Sequence, residues 1–269
     1  MLHTEDKKSV LSQGIIIFVY LAILTGLEFL VAISFDSVPL LVTVALVKAA
    51  LVVYYYMHVY KLNLEQEDDT SYDYKSDTNR LGLWLFLVSD SFVFAGLMAM
   101  RINLLGLTRP ELNQFLGLVV TAVLLISSFF MNRGETLMHN GDRQGFLRNT
   151  AITFLLGLGF LLGVVIIEWH TIPAIAEAVL HLFGEPAGVE PLKPTSGVAG
   201  AAFFMMTGMH AFHVLTGLIL LAIVWFNGRR GLYDEKNYPV EAAAVYWHFV
   251  DVVWIFFYPA LYLIGTVVK

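Results

Sequence analysis

The sequence predicts an all-α, polytopic membrane protein with seven transmembrane helices. Three observations lead to this fold class: 58% of the 269 residues are hydrophobic, only 14% are charged, and the mean hydropathy is +0.71. A soluble domain averages about 45–50% apolar and about 25% charged residues. The composition therefore excludes a water-soluble enzyme and a disordered chain, and the sequence lacks the short alternating segments that are typical of a β-barrel.

Seven apolar stretches are each long enough to cross a bilayer. A helix rises about 1.5 Å per residue, so about 20 residues cover a hydrocarbon core about 30 Å thick. The first stretch is too long for the core of a signal peptide, so we interpret it as a retained span. The predicted spans are Gly14–Ser34, Val38–Met57, Leu81–Met100, Leu112–Met131, Thr150–Trp169, Val198–Phe226 and Ala242–Val267.

The connections divide the chain into a two-helix hairpin and a five-helix bundle. The short turn Phe35–Ser37 joins the first two spans and predicts an antiparallel hairpin within residues 1–61. Residues 62–80 form a linker with six acidic residues, which we interpret as a solvated segment and not as an ion site. Residues 81–269 form the predicted bundle, whose longest loop, His170–Gly197, contains four prolines and is expected to include a short surface helix.

The distribution of basic residues predicts the orientation in the membrane. Eleven lysines and arginines lie in the N-terminal segment and the second, fourth and sixth loops, against four on the opposite side. Because basic residues concentrate in cytoplasmic loops, we expect the N-terminus inside and the C-terminus outside.

Two further features of the composition exclude whole classes of function. The chain contains no cysteine, which excludes disulfides, thiolate zinc sites, iron–sulfur clusters and a thiolate-bridged copper centre within it. The formal net charge of −6 provides no basic surface of the kind that nucleic-acid binding requires, so we expect no nucleic-acid partner.

Ionisable groups inside the spans are the candidate functional residues. Charged side chains at membrane depth cost several kcal/mol unless they are paired, so each one indicates a site. The helical rise places five of them at one depth, in the half of the membrane nearest the N-terminus: Asp90, His210, His213, His248 and Asp251. The histidines could hold a metal or a haem between the sixth and seventh spans, or they could be hydrogen-bonded to neighbouring helices or to a lipid phosphate. A further hypothesis is that all five residues form a polar layer that locks the third, sixth and seventh spans together.

Asp90, two further carboxylates and one lysine have their own interpretations. Asp90 is either a proton carrier or a structural hydrogen-bond partner. Glu168, at the outer end of the fifth span, is expected at the membrane interface. Glu28 and Lys48 lie near mid-membrane on the two arms of the hairpin, close enough in depth to form an internal ion pair.

Four segments resemble motifs of cytochrome c oxidase subunit III, and along the chain they occur in the same order as in that family. The seventh span reads AVYWHFVDVVWIF at residues 244–256 and resembles that family's last helix, with its hallmark YWHFVDVVW. The sixth span reads TGMHAFHVLTG at residues 207–217 and resembles the TGxHxxHVxxG helix. The third span, with GLWLFLVSD at residues 82–90, is similar to the WLFxxSE segment, and Glu168–Trp169 resembles the Glu–aromatic pair of the middle helix. The resemblance covers roughly residues 78–269.

The chain departs from the family pattern at two positions. Asp90 stands where the family usually has glutamate, and Val165 replaces a glutamine that usually precedes the Glu–aromatic pair by three positions. The first change shortens the side chain that the family pattern associates with proton collection. The second predicts a drier outer end of the fifth span.

The hairpin carries a second resemblance. Subunit III occurs in a seven-helix form and in a five-helix form that lacks the first two spans, and the segment after the linker resembles the five-helix form. Lys48 followed by Tyr56–His58 resembles the second helix of the small bacterial oxidase subunit IV. We therefore interpret the chain as a IV–III fusion; the alternative is that the hairpin is a diverged version of the two missing subunit III helices.

Membership of this family implies a non-redox subunit of a haem–copper cytochrome c oxidase in the bacterial cytoplasmic membrane. It implies contact with the catalytic subunit I, with subunit II and other subunits, and with ordered phospholipids. The haems and copper would then belong to the partner subunits, with no cofactor, metal or catalytic residue in this chain. Alternatives are a quinol oxidase or nitric oxide reductase subunit of the same fold, or an independent transporter.

Overall fold

A computed structural model describes residues 2–34, 37–57, 72–182, 192–233 and 238–267 of the chain. Within these residues, seven helices are long and apolar enough to cross a membrane, which confirms the predicted fold class. The first half of the predicted linker lies outside the described residues, as do His58 and residues 183–191 of the long loop.

The hairpin consists of α1, at Leu2–Ser34, and α2, at Val38–Leu51, which continues as a π-helical turn over Val52–Tyr56. Pro39 stands in the first turn of α2, where its missing N–H removes no helical hydrogen bond. Because only a short connection separates the two helices, they run antiparallel and pack against each other.

The bundle consists of five long helices and one short one. Asn113 and Asp142 cap α4 and α5, since their side chains accept hydrogen bonds from the backbone N–H groups of Leu116 and Gly145. π-helical turns extend α5 over Gly163–Glu168 and α8 over Pro259–Leu263. The helices are α3 at Tyr72–Leu105, α4 at Gln114–His139, α5 at Arg143–Leu162, α6 at Pro173–Leu182, α7 at Gly197–Arg229 and α8 at Tyr238–Tyr258.

Several helices extend beyond the predicted apolar spans. α3 begins at Tyr72, inside the predicted linker, and α4 continues to His139, because polar residues sustain a helix once it leaves the hydrocarbon. At the beginning of α3, the Arg80 guanidinium binds both carboxylate oxygens of Glu241 at 2.8 Å and contacts Asp77 at 2.6 Å. The last part of the linker is therefore docked to the beginning of α8 and is not a freely solvated segment. The short helix expected in the long loop is present as α6.

Helix α8 lies at the centre of the protein. Of its apolar stretch, 78% is buried, against 22% for α1 and 11% for α3. The hairpin packs on α4 and α8, while α3 packs on α7 and α8. We call the side where α1 begins and α2 ends the N-side, and the opposite side the C-side.

Two tryptophans of α8 fix its position against α4. The indole of Trp247 donates a hydrogen bond to the Ser127 hydroxyl at 3.1 Å, and that of Trp254 donates to the Thr121 hydroxyl at 2.9 Å. Both rings are fully buried, so these bonds satisfy polar N–H groups that water cannot reach. The seven-residue spacing places both indoles on one face of α8.

The C-side ends in a contact that the sequence did not predict. The predicted seventh span ran helically to Val267, but the helix ends at Leu263 and Thr266–Val267 pairs in parallel with Thr108–Arg109. We label these strands β1, at Thr108–Arg109, and β2, at Thr266–Val267. The Arg101 guanidinium closes the arrangement by donating to three backbone carbonyls, those of Gly106 at 2.7 Å, Thr108 at 3.0 Å and Ile264 at 3.0 Å.

Replacing Arg101 with methionine is expected to release the C-terminal strand. The substitution keeps an unbranched apolar stem but removes the guanidinium group, so it leaves three carbonyls without their donor, at a cost of about 2 kcal/mol. Amide hydrogen exchange at Thr266, whose N–H bonds the Leu107 carbonyl at 3.0 Å, should become faster. Asn103→Ala is the control, because that exposed side chain bonds only Ala99 of its own helix. Equal exchange rates in the two variants would contradict the proposed clamp.

Candidate functional site

The five residues predicted to share one membrane layer occupy three different settings. Residues three apart on a helix differ by about 60° around its axis, so they can face different neighbours at similar depth. This rotation separates His210 from His213 on α7 and divides the predicted layer into an acid–imidazole pair, an aromatic pocket and a group that faces the hairpin.

The acid–imidazole pair joins α3 to α7. Asp90 Oδ2 lies 3.0 Å from His213 Nε2, and the two side chains are 13% and 7% exposed. His213 Nδ1 lies 2.7 Å from the Met209 carbonyl, and the ring of Phe94 packs against the imidazole with centroids 4.7 Å apart. Both ring nitrogens of His213 are thus engaged by this protein.

The aromatic pocket holds His210. Its imidazole stacks on Trp254 with centroids 4.9 Å apart and an interplanar angle of 30°, and Phe160 meets it edge-on at 5.7 Å. Within the described part of the chain, neither ring nitrogen has a hydrogen-bond partner. His210 therefore connects α7 to α5 and α8 through ring packing, and it does not share the Asp90 contact.

His248 and Asp251 face the hairpin and α4, not α3 and α7 as the single-layer hypothesis required. The ring of Tyr56, at the end of α2, lies 5.0 Å from that of His248. The Asp251 carboxyl lies near the Ser128 side chain of α4 and within electrostatic range of Lys48. Both α8 residues are essentially inaccessible to solvent.

Glu28 and Lys48 are in direct contact. Lys48 Nζ lies 2.5 Å from Glu28 Oε2, and neither side chain has any exposed surface. Tyr56 donates a hydrogen bond to the Gly14 carbonyl at 3.2 Å, which adds a second polar contact between α1 and the end of α2. The two arms of the hairpin are thus joined by a charged contact at mid-membrane and a neutral one nearer the N-side.

Glu168 lies at the C-side end of α5, but its carboxyl group points into the protein. Both carboxylate oxygens are buried, and the side chain interacts with Tyr262 in the π-helical turn that follows α8. The neighbouring Trp169 donates to the Thr207 hydroxyl at 3.1 Å, as an interfacial tryptophan can. Glu168 therefore contacts the end of α8 and does not face the membrane interface that we expected.

The described residues contain no group of three or more histidine, aspartate or glutamate side chains arranged to hold a metal ion. The three intramembrane imidazoles instead contact protein groups: a carboxylate for His213, an indole for His210 and a phenol ring for His248. This geometry favours the interpretation of the histidines as helix-packing residues over a haem or metal between α7 and α8.

Two known families match different parts of this chain. Residues 188–266 match the family described as cytochrome c oxidase subunit III, and residues 15–61 match prokaryotic cytochrome c oxidase subunit IV. The cytochrome c oxidase subunit 3 of Synechocystis sp. is 31% identical over 197 residues, which cover 70% of this chain and 76% of the relative. The corresponding protein of Thermostichus vulcanus is 33% identical over 196 residues, or 70% of this chain and 88% of the relative.

The chain belongs to the cytochrome c oxidase subunit III family. It is also similar to subunits of oxidases whose names give quinol, and not cytochrome c, as the electron donor. The quinol oxidase subunit 3 of Bacillus subtilis is 33% identical over 208 residues, covering 72% of this chain and 92% of the relative. The cytochrome bo(3) ubiquinol oxidase subunit 3 of Pseudomonas putida is 33% identical over 193 residues, covering 69% of this chain and 86% of the relative.

This subunit III family member also carries the subunit IV-like hairpin. The separate match at residues 15–61 supports the interpretation as a IV–III fusion over that of two diverged subunit III helices. In the structure, Lys48 and Tyr56 are among the hairpin residues that contact or approach α8. Lys48 and Tyr56, two of the residues that carried the subunit IV resemblance, are thus located at the seam with the subunit III-like bundle.

The sequence reasoning missed four packing residues of this family member: Trp247, Trp254, Ser127 and Thr121. The two tryptophans stood inside the recognised motif, but we assigned roles only to its ionisable residues. Two signals in the sequence could have indicated this contact. The two tryptophans are seven residues apart, and the fourth span has two hydroxyl residues at similar depth. A buried indole requires an acceptor, so an apolar span with hydroxyls was the natural place to search.

Proposed function

We propose that the chain is a fused IV–III subunit of a haem–copper cytochrome c oxidase, in which it stabilises the catalytic subunit I. The observation that carries this proposal is the 31–33% identity to proteins named cytochrome c oxidase subunit 3, over 76–88% of their length. Residues 1–61 would be the subunit IV-like domain, 62–80 the linker and 81–269 the subunit III-like domain. The haems and copper would be bound by partner subunits, and this chain would have no catalytic residue.

The packing of the bundle supports a scaffolding role. α8 is held by its tryptophans against α4, and α7 is joined to α3 by Asp90 and His213. By contrast, α1 and α3 expose most of their apolar surface. Exposed apolar faces of a membrane subunit contact lipid tails or apolar helices, so these faces are suited to subunit I, other subunits and ordered phospholipids.

The proposed location is the bacterial cytoplasmic membrane, with the N-side facing the cytoplasm. The excess of lysine and arginine in the N-side loops supports this orientation. Reporter fusions to the two termini test it. Alkaline phosphatase should be active at the C-terminus and inactive at the N-terminus, and the reverse pattern would contradict the proposal.

A quinol oxidase subunit is the second candidate. The similarity to quinol oxidase subunits of Bacillus subtilis and Pseudomonas putida favours it, and their identities equal those of the cytochrome c oxidase relatives. The fold and the polar contacts of this chain are compatible with either electron donor.

Purification through a tag on this chain tests the proposal. A haem-bearing complex that oxidises reduced cytochrome c and shows a copper A signal would support the first candidate. Oxidation of quinol, with no such copper signal, would favour the second. Recovery of the chain with no haem-bearing partner would contradict both candidate functions, and it would favour an independent transporter.

Asp90 is proposed to assist proton uptake by the complex. Its carboxylate is partly exposed beside His213, and in the proposed orientation it lies in the cytoplasmic half of the membrane. Asp90→Asn should slow proton uptake during turnover severalfold while the complex still assembles, measured with a pH indicator in stopped flow. The control is Asp77→Asn, which removes an acidic group at the beginning of α3. Equal uptake rates in wild type and Asp90→Asn would exclude this role.

A further inference from the structure

The hairpin packs against a polar stripe of α8. His248, Asp251 and Tyr258 are at most 1% exposed. α2 and its π-helical turn pack directly on α8, and Tyr56 lies against His248. If the hairpin were removed, an acid and an imidazole of α8 would lose protein cover within the membrane. Such exposure is strongly unfavourable, so the cover must be held firmly in place.

An ion pair of the hairpin and an acidic residue of α8 are buried at this contact between the hairpin and the bundle. Glu28 of α1 contacts Lys48 of α2 at 2.5 Å, and Asp251 of α8 lies within electrostatic range of the same ammonium group. All three side chains are at most 1% exposed. The neutral polar groups that face them are Tyr258 beside Glu28, and Ser128 and Tyr56 beside Asp251, with His248 next to Tyr56.

One positively charged side chain, that of Lys48, thus lies near two acidic side chains, those of Glu28 and Asp251. A buried charge that loses its partner is strongly unfavourable, whereas a carboxylate and an ammonium group that neutralise each other are tolerated. One ammonium group neutralises one carboxylate, so the second acid of the set must carry a proton. Lys48 contacts one acid from its own hairpin and is near one acid from the bundle.

We propose that Glu28, Lys48 and Asp251 form a shared-charge lock through which the subunit IV-like hairpin recognises α8 of the subunit III-like bundle. Asp251 is the bundle's contribution to this contact. Loss of one acid leaves Lys48 with the other, but loss of both leaves an unpaired ammonium group in the membrane. Loss of Lys48 leaves both acids without their cation.

The absence of native cysteine makes the lock measurable in the whole complex. A Cβ at Gly14 would lie 3.9 Å from Cγ of Asn132, which is the position that a cysteine sulfur can occupy at residue 132, so Gly14→Cys with Asn132→Cys is expected to form a cross-link between α1 and α4. A Cβ at Gly134 would lie 3.3 Å from Cβ of Asn149, so Gly134→Cys with Asn149→Cys is a control cross-link within the bundle. Oxidation of the membrane-embedded complex, followed by gel electrophoresis of this chain, reports hairpin docking and bundle folding separately.

The lock predicts a non-additive pattern in the hairpin cross-link. Glu28→Gln and Asp251→Asn should each reduce its yield only slightly. The double variant Glu28→Gln/Asp251→Asn and the single variant Lys48→Met should each reduce it about tenfold or more, because they leave unpaired buried charge. The triple variant Glu28→Gln/Lys48→Met/Asp251→Asn should recover most of the yield, because no charge remains. The control cross-link should stay constant throughout.

Each other outcome overturns the proposal. If Glu28→Gln alone is as severe as the double variant, the charge contact is internal to the hairpin and Asp251 has no part in it. If the triple variant does not recover, shape and not charge holds the seam. If the control cross-link falls with the hairpin cross-link, these charges are needed to fold the bundle and not to dock the hairpin. The readout is independent of the electron donor, so it does not depend on which oxidase the chain serves.

Discussion

Gly157→Ala is expected to destabilise the bundle by about 3 kcal/mol, although alanine is the better helix former. A Cβ on Gly157 would lie 2.4 Å from Cη2 of Trp247 and 3.1 Å from Cδ2 of Leu218. The indole cannot move away, because Gly217 of α7 lies on its other side, where a Cβ would be 2.9 Å from the ring. Its N–H is also held by Ser127. α5 must therefore separate from α8, which opens the centre of the protein.

The matched control is two residues away on the same helix. A Cβ at Gly159 would meet no neighbouring atom within 4 Å, and this residue is exposed, so Gly159→Ala should be neutral or stabilising by up to about 1 kcal/mol. Thermal dissociation of the chain from its complex in mild detergent measures both variants. In a Trp247→Phe background, Gly157→Ala should cost much less, since the shorter ring vacates the contested space. Equal midpoints for the two alanine variants would refute the close packing of Gly157 on the indole.

The depth of each polar residue could be predicted from the sequence, but its facing direction could not. Helical rise placed Asp90 and His213 at one level, and the structure brings them together. The same reasoning placed Asp251 at that level, yet it faces α4 and the hairpin. The direction depends on the rotation of each helix, which is set by packing among helices that are far apart in sequence.

The C-side end of the bundle shows a second limit of sequence reasoning. β1 and β2 have two residues each and come from positions about 160 residues apart, and neither segment has an alternating pattern long enough to indicate a strand. Arg101, which stabilises their contact, was counted only as a loop charge for the orientation. A lone arginine beside a turn does not reveal that three carbonyls will converge on it.

The hairpin was the part whose internal contact followed most directly from the sequence. Glu28 and Lys48 lie at similar depths on two helices that a short turn connects. Antiparallel packing of these helices therefore brings the two side chains within reach of each other. What the sequence did not reveal is that this pair lies beside Asp251. That neighbour depends on which face of the hairpin packs on α8, and two mostly apolar helices offer little polarity to decide it.

Trp254→Ala is the second substitution with a large expected effect, about 3–5 kcal/mol, because it removes a fully buried indole from the contact of four helices. Trp254 belongs to α8, donates to Thr121 of α4, meets Phe160 of α5 at 4.9 Å and stacks on His210 of α7. The neighbouring rings are held by their own helices and cannot fill the space. The imidazole of His210 would also lose the aromatic surface on which it lies.

Two milder variants separate the cavity from the hydrogen bond. Thr121→Val keeps the volume of the acceptor but removes its hydroxyl, so it leaves the Trp254 N–H unpaired at a cost of about 1 kcal/mol. Trp254→Phe removes the same bond while keeping most of the ring surface, and it should fall between Thr121→Val and Trp254→Ala. The midpoint temperature of thermal dissociation of the complex ranks the three variants. If Trp254→Ala were no less stable than Thr121→Val, the indole would act mainly through its N–H. The stacked aromatic contact would then not be what holds α7 and α8 together.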